Sequence, residues 1–186
     1  MKKGEAKTGF TIIEVALTIA IAGLIFLMIF IALPWLRASQ RDTKRREDLI
    51  HFISEVKTFQ QKNRGALPGV GENPGIITWD DASSTVNPPA AASWSEFYRD
   101  YLKESFEDPD GEHYTLYNIG PCSSGGIVDG ECDMANANDT IFPNDYKIIV
   151  VSSATCKGNS IVQSSNPRRL AAMYALETGG VYCINT

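Results

Sequence analysis

Gly9-Phe10-Thr11-Ile12-Ile13-Glu14 decides how this chain is read. It stands between a short charged leader, residues 1–8, and an apolar run over residues 15–36. Glu14 is the one charged side chain between Phe10 and Leu36. A helix needs about 20 apolar residues to cross a bilayer, so the run is long enough. A carboxylate within such a segment costs roughly 2.5–3.5 kcal/mol on insertion scales. An acid kept there points to a partner that the lone chain does not supply. The plainer alternative is a residue that snorkels near the end of an ordinary signal anchor.

The helix can be followed beyond residue 36. Leu49, Phe52, Ile53 and Val56 recur at i, i+3, i+4 and i+7, with Phe59 one turn later. That spacing predicts an amphipathic helix with one buried stripe. Asn63-Arg64-Gly65 supplies a stop, with Gly65 suited to the left-handed residue after a helix. His51 lies beside the stripe and reads as a boundary residue, because no second His or Cys stands at helical spacing from it. Pro34 is expected to kink the helix or free a carbonyl, and Gly23 is a second weak point. Trp35 beside Arg37 also suits an interfacial anchor.

The N-terminal motif resembles that of type IV pilins and their pseudopilin relatives. That family carries a basic leader ending in Gly, then Phe-Thr-Leu-Ile-Glu, then an apolar helix. Lys2, Lys3 and Lys7 match the leader, Gly9 the residue before the cut, Phe10 the new N-terminus and Glu14 the buried acid. Ile12 stands where Leu is usual. The resemblance covers about the first fifth of the chain. It implies cleavage between Gly9 and Phe10 by a prepilin peptidase and N-methylation of Phe10. It also implies that Glu14 of an incoming subunit pairs with the Phe10 ammonium of a neighbour. In the family a Gly and a Pro bracket a helical segment that unwinds on packing. Gly23 matches that Gly, while Pro34 lies later than the usual proline, which would fall near Ile31.

The resemblance divides the chain into a cleaved leader over residues 1–9, a transmembrane and filament-core helix over 10–36, its amphipathic continuation over 37–64, and an extracellular head over 65–186. The implied fold class is α+β: a long N-terminal helix packed on an antiparallel sheet head, as in type IV pilins. The expected function is a pilus subunit for adhesion, motility or DNA uptake. It sits in the membrane before assembly and in a surface filament afterwards. Implied partners are other pilin subunits, the peptidase, an assembly ATPase, a membrane platform protein and, before assembly, lipid. Charge alone orients the helix differently. Residues 37–46 carry Arg37, Arg41, Lys44, Arg45 and Arg46, which the positive-inside rule favours as cytoplasmic. The resemblance places the leader inside and the head outside, and the cysteines agree with it.

Removal of nine residues from 186 leaves 177, enough for one membrane helix and one modest domain. Residues 65–186 hold 6 Lys+Arg against 16 Asp+Glu, which argues against direct nucleic-acid binding by the head. The basic stretch over 37–46 suits lipid headgroups, acidic faces of neighbouring subunits, or simply a solvated helix face. Residues 65–93 are rich in Gly, Pro, Ala and Ser, with Pro68, Gly69, Gly71, Pro74, Gly75, Pro88 and Pro89 around a short candidate strand at residues 76–79. Ser93-Trp94-Ser95-Glu96 reads as a capping box that starts a helix running to about Ser105. Its aromatic face (Trp94, Phe97, Tyr98, Tyr101) reads as core. Asp108-Pro109-Asp110-Gly111 is a turn signal that resembles one found in pilins and pseudopilins ahead of the first sheet strand. Strands are expected at residues 114–119 and 146–151, then a terminal hairpin over 170–184 turning at Thr178-Gly179-Gly180. The end of the chain, Leu176-Glu177 followed by a Gly turn and Tyr182-Cys183, resembles that of a group of bacterial pilins.

Cys122, Cys132, Cys156 and Cys183 all lie in the head, and an even count in an exported domain suggests disulfides. Of three pairings, Cys122 with Cys132 and Cys156 with Cys183 are favoured. The first closes a Gly-rich loop, and the second ties the last strand to the loop after the central one. Each would contribute about 3 kcal/mol. A zinc site competes but lacks C-x-x-C spacing and matched histidines. Asp129, Glu131, Asp133 and Asp139 form an oxygen-rich stretch that could hold calcium, although the spacing does not match an EF-hand. Some pseudopilins hold calcium in a comparable region. No other cofactor is implied. Asn138-Asp139-Thr140 fits a glycosylation sequon. No G-x-S-x-G, H-E-x-x-H, Walker or G-x-G-x-x-G pattern occurs, and His51 and His113 are far apart, so no enzyme is expected. Two readings compete with the pilin. One is a pseudopilin of a type II secretion or competence system. The other is a signal-anchored binding domain that never polymerises.

Overall fold

In a computed structural model, the chain is described over residues 9–69, 72–73, 75–83, 92–103, 106–122, 127–128, 131–132 and 147–186. For Ser83, Ile127, Val128, Glu131 and Lys147 only the backbone is described. Residues 1–8 of the leader, Gly71, Pro74, Pro88, Pro89, Ser105, the sequon, Tyr146 and the acidic positions 129, 133 and 139 lie outside those residues. The chain forms two compact units, Met1–Ser39 and Gln40–Thr186.

Helix α1, Ile12–Lys62, runs through both units and is not interrupted at Pro34. It ends as the sequence directs, with one change. Arg64 already turns left-handed (φ 56°) ahead of Gly65 (φ 83°). The Gly65 N–H then reaches back to the Gln60 carbonyl at 2.7 Å, a Schellman-type closure that satisfies an orphan carbonyl.

In the second unit the stripe Leu49, Phe52, Ile53, Val56 and Phe59 is buried. It packs on a five-stranded sheet and on a short helical segment. Among the described residues the strands are β1 (Gly75–Ile77), β2 (Thr115–Pro121), β3 (Ile127–Val128), β4 (Glu131–Cys132), β5 (Lys147–Ser152), β6 (Ala154–Lys157), β7 (Ser160–Gln163), β8 (Leu170–Ala175) and β9 (Val181–Asn185). The first sheet has the order β1-β2-β5-β8-β9 and the second β3-β4-β7-β6. Helix on sheet is an α+β architecture.

The expectation of an antiparallel sheet needs correction. β2 and β5 pair in parallel, Leu116 opposite Ile148 and Tyr117 opposite Ile149. A parallel pair needs a connection of a dozen or more residues, and 25 residues of sequence separate Pro121 from Lys147. The second sheet is also absent from the sequence reading. It explains why residues 148–151 are apolar throughout. Ile148 and Val150 face the cluster shared with α1, whereas Ile149 and Val151 face a second cluster with Ala154, Ile161, Ala171 and Met173. A strand buried on both faces loses its polar alternation. Ser153, at φ 55°, bends the chain from the first sheet into the second. Gly158 (φ 63°) with Asn159 forms the two-residue turn between β6 and β7.

The Ser93 cap forms, with the reciprocal bond displaced by one residue from a capping box. The Ser93 hydroxyl accepts from the Glu96 N–H at 2.9 Å, and the Glu96 carboxylate accepts from the Ala92 N–H. The helix it starts is shorter than expected. Helix α3 covers Trp94–Phe97 and continues as a π-turn over Tyr98–Leu102. Its face is core, as Trp94, Phe97, Tyr98 and Leu102 are buried. Phe52 stacks on Trp94 at 6.3 Å and meets Phe97 edge-on at 5.8 Å. The residue 76–79 strand stops at Ile77, because Thr78 caps a further helix, α2 (Trp79–Ser83). Its hydroxyl donates to Asp81 at 2.7 Å and accepts from the Asp81 N–H at 3.2 Å.

Cys122 is bonded to Cys132 and Cys156 to Cys183. Cys156 lies on strand β6 rather than in a loop, so its bond links the second sheet to the last strand of the first. Gly69 sits at φ 64°, and a Cβ there would lie 2.1 Å from Cδ1 of Trp94. Gly69→Ala is therefore expected to destabilise the domain by more than the ~1–2 kcal/mol of a left-handed alanine. Its thermal midpoint should fall and the near-UV signal of Trp94 should change; an unaltered midpoint would contradict the packing.

Candidate functional site

The cleavage motif opens α1. Gly9 and Phe10 precede the helix, and the Phe10 side chain is exposed. Thr11 is the N-cap: its carbonyl accepts from the Val15 N–H, and its hydroxyl accepts from the Glu14 N–H at 3.4 Å. Glu14 answers through Oε2, which accepts from both the Thr11 N–H and the Thr11 hydroxyl at 2.8 Å. This is a capping box, in which the acid satisfies an orphan donor of the first turn. The Thr11-x-x-Glu14 spacing carried that signal, and the sequence reading passed over it. Glu14 therefore has local partners in the single chain, and no second charge beside it among the described residues.

The segment that follows is apolar on every side. An 18-residue window has a mean hydropathy of 2.9, and none of it is buried within the chain. Large side chains from Ile12 to Leu36 stand exposed, among them Phe26, Met28 and Phe30. A helix that is hydrophobic all round belongs in a membrane or a larger core. By length and composition α1 can cross a bilayer. Gly23 has nothing within 4 Å of a hypothetical Cβ, so no contact inside the chain requires a glycine there. Within a helix it costs roughly 1 kcal/mol relative to alanine.

The basic stretch over residues 37–46 is not the simply solvated face that was one expectation. In the second unit, Arg45 is buried, its side chain 4% exposed. Its Nε and Nη2 grip Asp108 at 2.6 and 2.9 Å, a fork-to-fork pair. Nη2 also donates to Asp110 at 2.9 Å, and Nη1 to Glu177. Arg41 clamps Glu177 through Nε at 2.9 Å and Nη2 at 2.6 Å. Asp42, equally buried, accepts from the Glu177 N–H, the Thr178 N–H and the Thr178 hydroxyl at 2.9, 2.9 and 2.6 Å. Tyr174 donates to Asp108 at 3.1 Å, Tyr114 donates to Asp48 at 3.0 Å, and Lys44 pairs with Asp48 at 2.8 Å. One turn of helix thus fastens both the 108–111 turn and the terminal hairpin.

The electrostatics follow from this geometry. Burial weakens the charged form of Arg45, but its bonds to Asp108 and Glu177 outweigh that and raise its pKa. Burial likewise opposes the Asp42 carboxylate, yet the Thr178 hydroxyl and the backbone N–H groups hold its pKa below the usual range. The Arg41 hydrogen bond does the same for Glu177.

Phe10 and Glu14 belong to the first unit, and the cysteines, histidines and ion cluster belong to the second. His51 is exposed beside Glu55, and His113 lies against Trp79 with its ring centroid 5.2 Å away. Among the described residues no group of three or more His, Cys, Asp or Glu side chains is arranged to hold a metal. The calcium candidates Asp129, Asp133 and Asp139 lie outside them, and only the backbone of Glu131 is described. No family model, curated protein or solved structure matches this chain.

Removing one partner from a buried ion pair leaves the other uncompensated, at a cost of about 3–5 kcal/mol. Arg45→Met should cost that much in urea denaturation of the full chain in detergent, and Arg45→Met with Asp108→Asn should recover part of it; equal losses would contradict the coupling. Acid should act similarly. The folded pKa values of Asp42 and Glu177 lie below their unfolded ones, so their contribution is complete above about pH 5 and fades as pH falls through about 4 and below. The urea midpoint should be flat from neutral pH to that point and then drop, less steeply in Glu177→Gln. A midpoint that rises on acidification would have the wrong sign.

Proposed function

We propose that this chain is a structural subunit of a type IV pilus. A prepilin peptidase would cut after Gly9 and methylate Phe10. An assembly ATPase and a membrane platform would then draw the helix from lipid into a filament. The observation that carries the reading is the coincidence of two features. Gly9-Phe10-Thr11-Ile12-Ile13-Glu14 stands before a helix that is apolar all round and uncovered within its own chain. Such a helix needs either lipid or other helices, and a polymer supplies the second as a replacement for the first. In a low-dielectric bundle the Phe10 ammonium and the Glu14 carboxylate of a neighbour attract strongly, and each alone would be costly. Oε1 of Glu14 accepts no hydrogen bond among the described residues, so one oxygen remains for such a partner. Two disulfides in the second unit fit an oxidising exterior. A pseudopilin shares all of these features.

One observation favours the signal-anchored domain instead. The Thr11–Glu14 capping box gives the acid a purpose without a neighbour. Glu14→Gln separates the two readings, because capping boxes accept Gln as well as Glu but an amide cannot pair with an ammonium. The pilus reading expects Glu14→Gln to stay membrane-bound with both disulfides formed, while sheared filament falls by roughly a hundredfold, the equivalent of ~3 kcal/mol. Wild-type filament from Glu14→Gln would contradict the charge pair.

A further inference from the structure

Most of the basic side chains that α1 contributes near the ion cluster have partners. Arg41 and Arg45 hold Glu177, Lys44 holds Asp48, and Arg46 lies over the Tyr182 ring. The other end of the same helix differs. Lys57, Gln60 and Gln61 on the last two turns of α1, Arg64 and Gly65 in the turn that follows, and Arg168 before β8 line a cleft of about 510 Å³. Lys57, Arg64 and Arg168 form no side-chain ion pair or hydrogen bond among the described residues.

Two hydrogen bonds fix the shape of this shallow, open site. Gln60 Nε2 donates to the Arg168 carbonyl at 2.8 Å, which pins the 166–169 turn to the helix. The Arg168 N–H donates to Asn166 Oδ1 at 2.9 Å, which closes that turn. The Arg168 guanidinium then lies over Gly65, where a Cβ would come within 3.0 Å of its Nη1. Lys57, Gln61, Arg64 and Arg168 line it together, and among the described residues no acid pairs with the three cations. Guanidinium groups match carboxylates in a bidentate fashion, and a lysine adds a point charge.

Charge complementarity names the occupant. Residues 40–186 carry 13 Lys+Arg against 20 Asp+Glu, so two copies of this unit repel unless a positive site meets a negative surface. Asp80, Asp81, Glu107 and Glu112 are exposed acids on the same unit. We infer that the Lys57–Arg64–Arg168 cleft receives a carboxylate from the acidic surface of a second copy of this chain. The two surfaces differ, so the contact is heterologous. Repeated contacts of that kind close into rings or continue as open helices. The inference rests on the filament reading for its setting and gives that filament a contact outside the apolar helix.

Zero-length carbodiimide coupling tests it, because the reagent joins an amine to a carboxylate only when the two touch. Equal amounts of 15N-labelled and unlabelled full chain in neutral detergent would be coupled, digested and analysed by mass spectrometry. The expected product is a mixed-isotope peptide linking Lys57 to an Asp or Glu, several-fold more abundant than any from exposed Lys157. It should fall several-fold at high ionic strength, and also in Arg64→Gln/Arg168→Gln, which keeps Lys57. Linkage of Lys57 within one isotope only, or at the yield of Lys157, overturns the inference, as does indifference to salt. Should the double variant lose its disulfides, the salt response of the wild type still decides. A chain that couples in detergent but never polymerises on cells would remove the filament and keep the contact. A sheared filament without the Lys57 link would remove the contact alone.

Discussion

Arg45 is the constraint on which the second unit depends. A guanidinium buried this fully must be matched by acids, and Asp108, Asp110, Glu177 and Asp42 come from three separate stretches of chain. Asp108 opens the turn that leads into β2, and Glu177 leads into the turn between β8 and β9. Helix, turn and hairpin therefore have one joint position in which the charges are satisfied. Apolar packing of Phe52 and Phe59 against Trp94, Phe97 and Tyr101 supplies most of the cohesion, but such contacts tolerate sliding. A forked ion pair is directional and keeps its geometry in one register only.

The same helix serves two solvents. Its second half presents one stripe to a protein core. Its first half presents apolar side chains in every direction and keeps Gly23 without a steric need for it. Within the isolated chain those side chains stand exposed, and an apolar surface on every side of a helix calls for a membrane or a larger core to cover it. Glu14 is the acid that both settings must accommodate. Its capping box engages Oε2, and Oε1 accepts no hydrogen bond among the described residues.

Legibility in the sequence followed the range of each signal. The α1 stripe, the Ser93 cap, the 108–111 turn and the terminal hairpin rest on spacings of two to seven residues, and all were readable. Both cysteine pairs match the favoured pairing, although strand β6 under Cys156 was not foreseen. The parallel β2–β5 pair was hidden because its partners are separated by a long stretch of sequence. The second sheet was hidden because its strands have only two to four residues. Arg45 looked like one of five surface cations, since nothing local marks the three distant acids that enclose it. Thr11-x-x-Glu14 and Thr78-x-x-Asp81 were local signals that went unread. The first was eclipsed by the cost of the charge, the second by the apolar Ile76-Ile77 pair.

A pilus subunit requires that Gly9 and Phe10 be parted in the mature molecule. Mass spectrometry of the N-terminal peptide from material sheared off the cell surface measures this directly. The expected result is a peptide that begins at Phe10 and carries an N-methyl group. A peptide that retains Met1 or Lys2, recovered only from membranes, would contradict it and leave α1 as a fixed anchor.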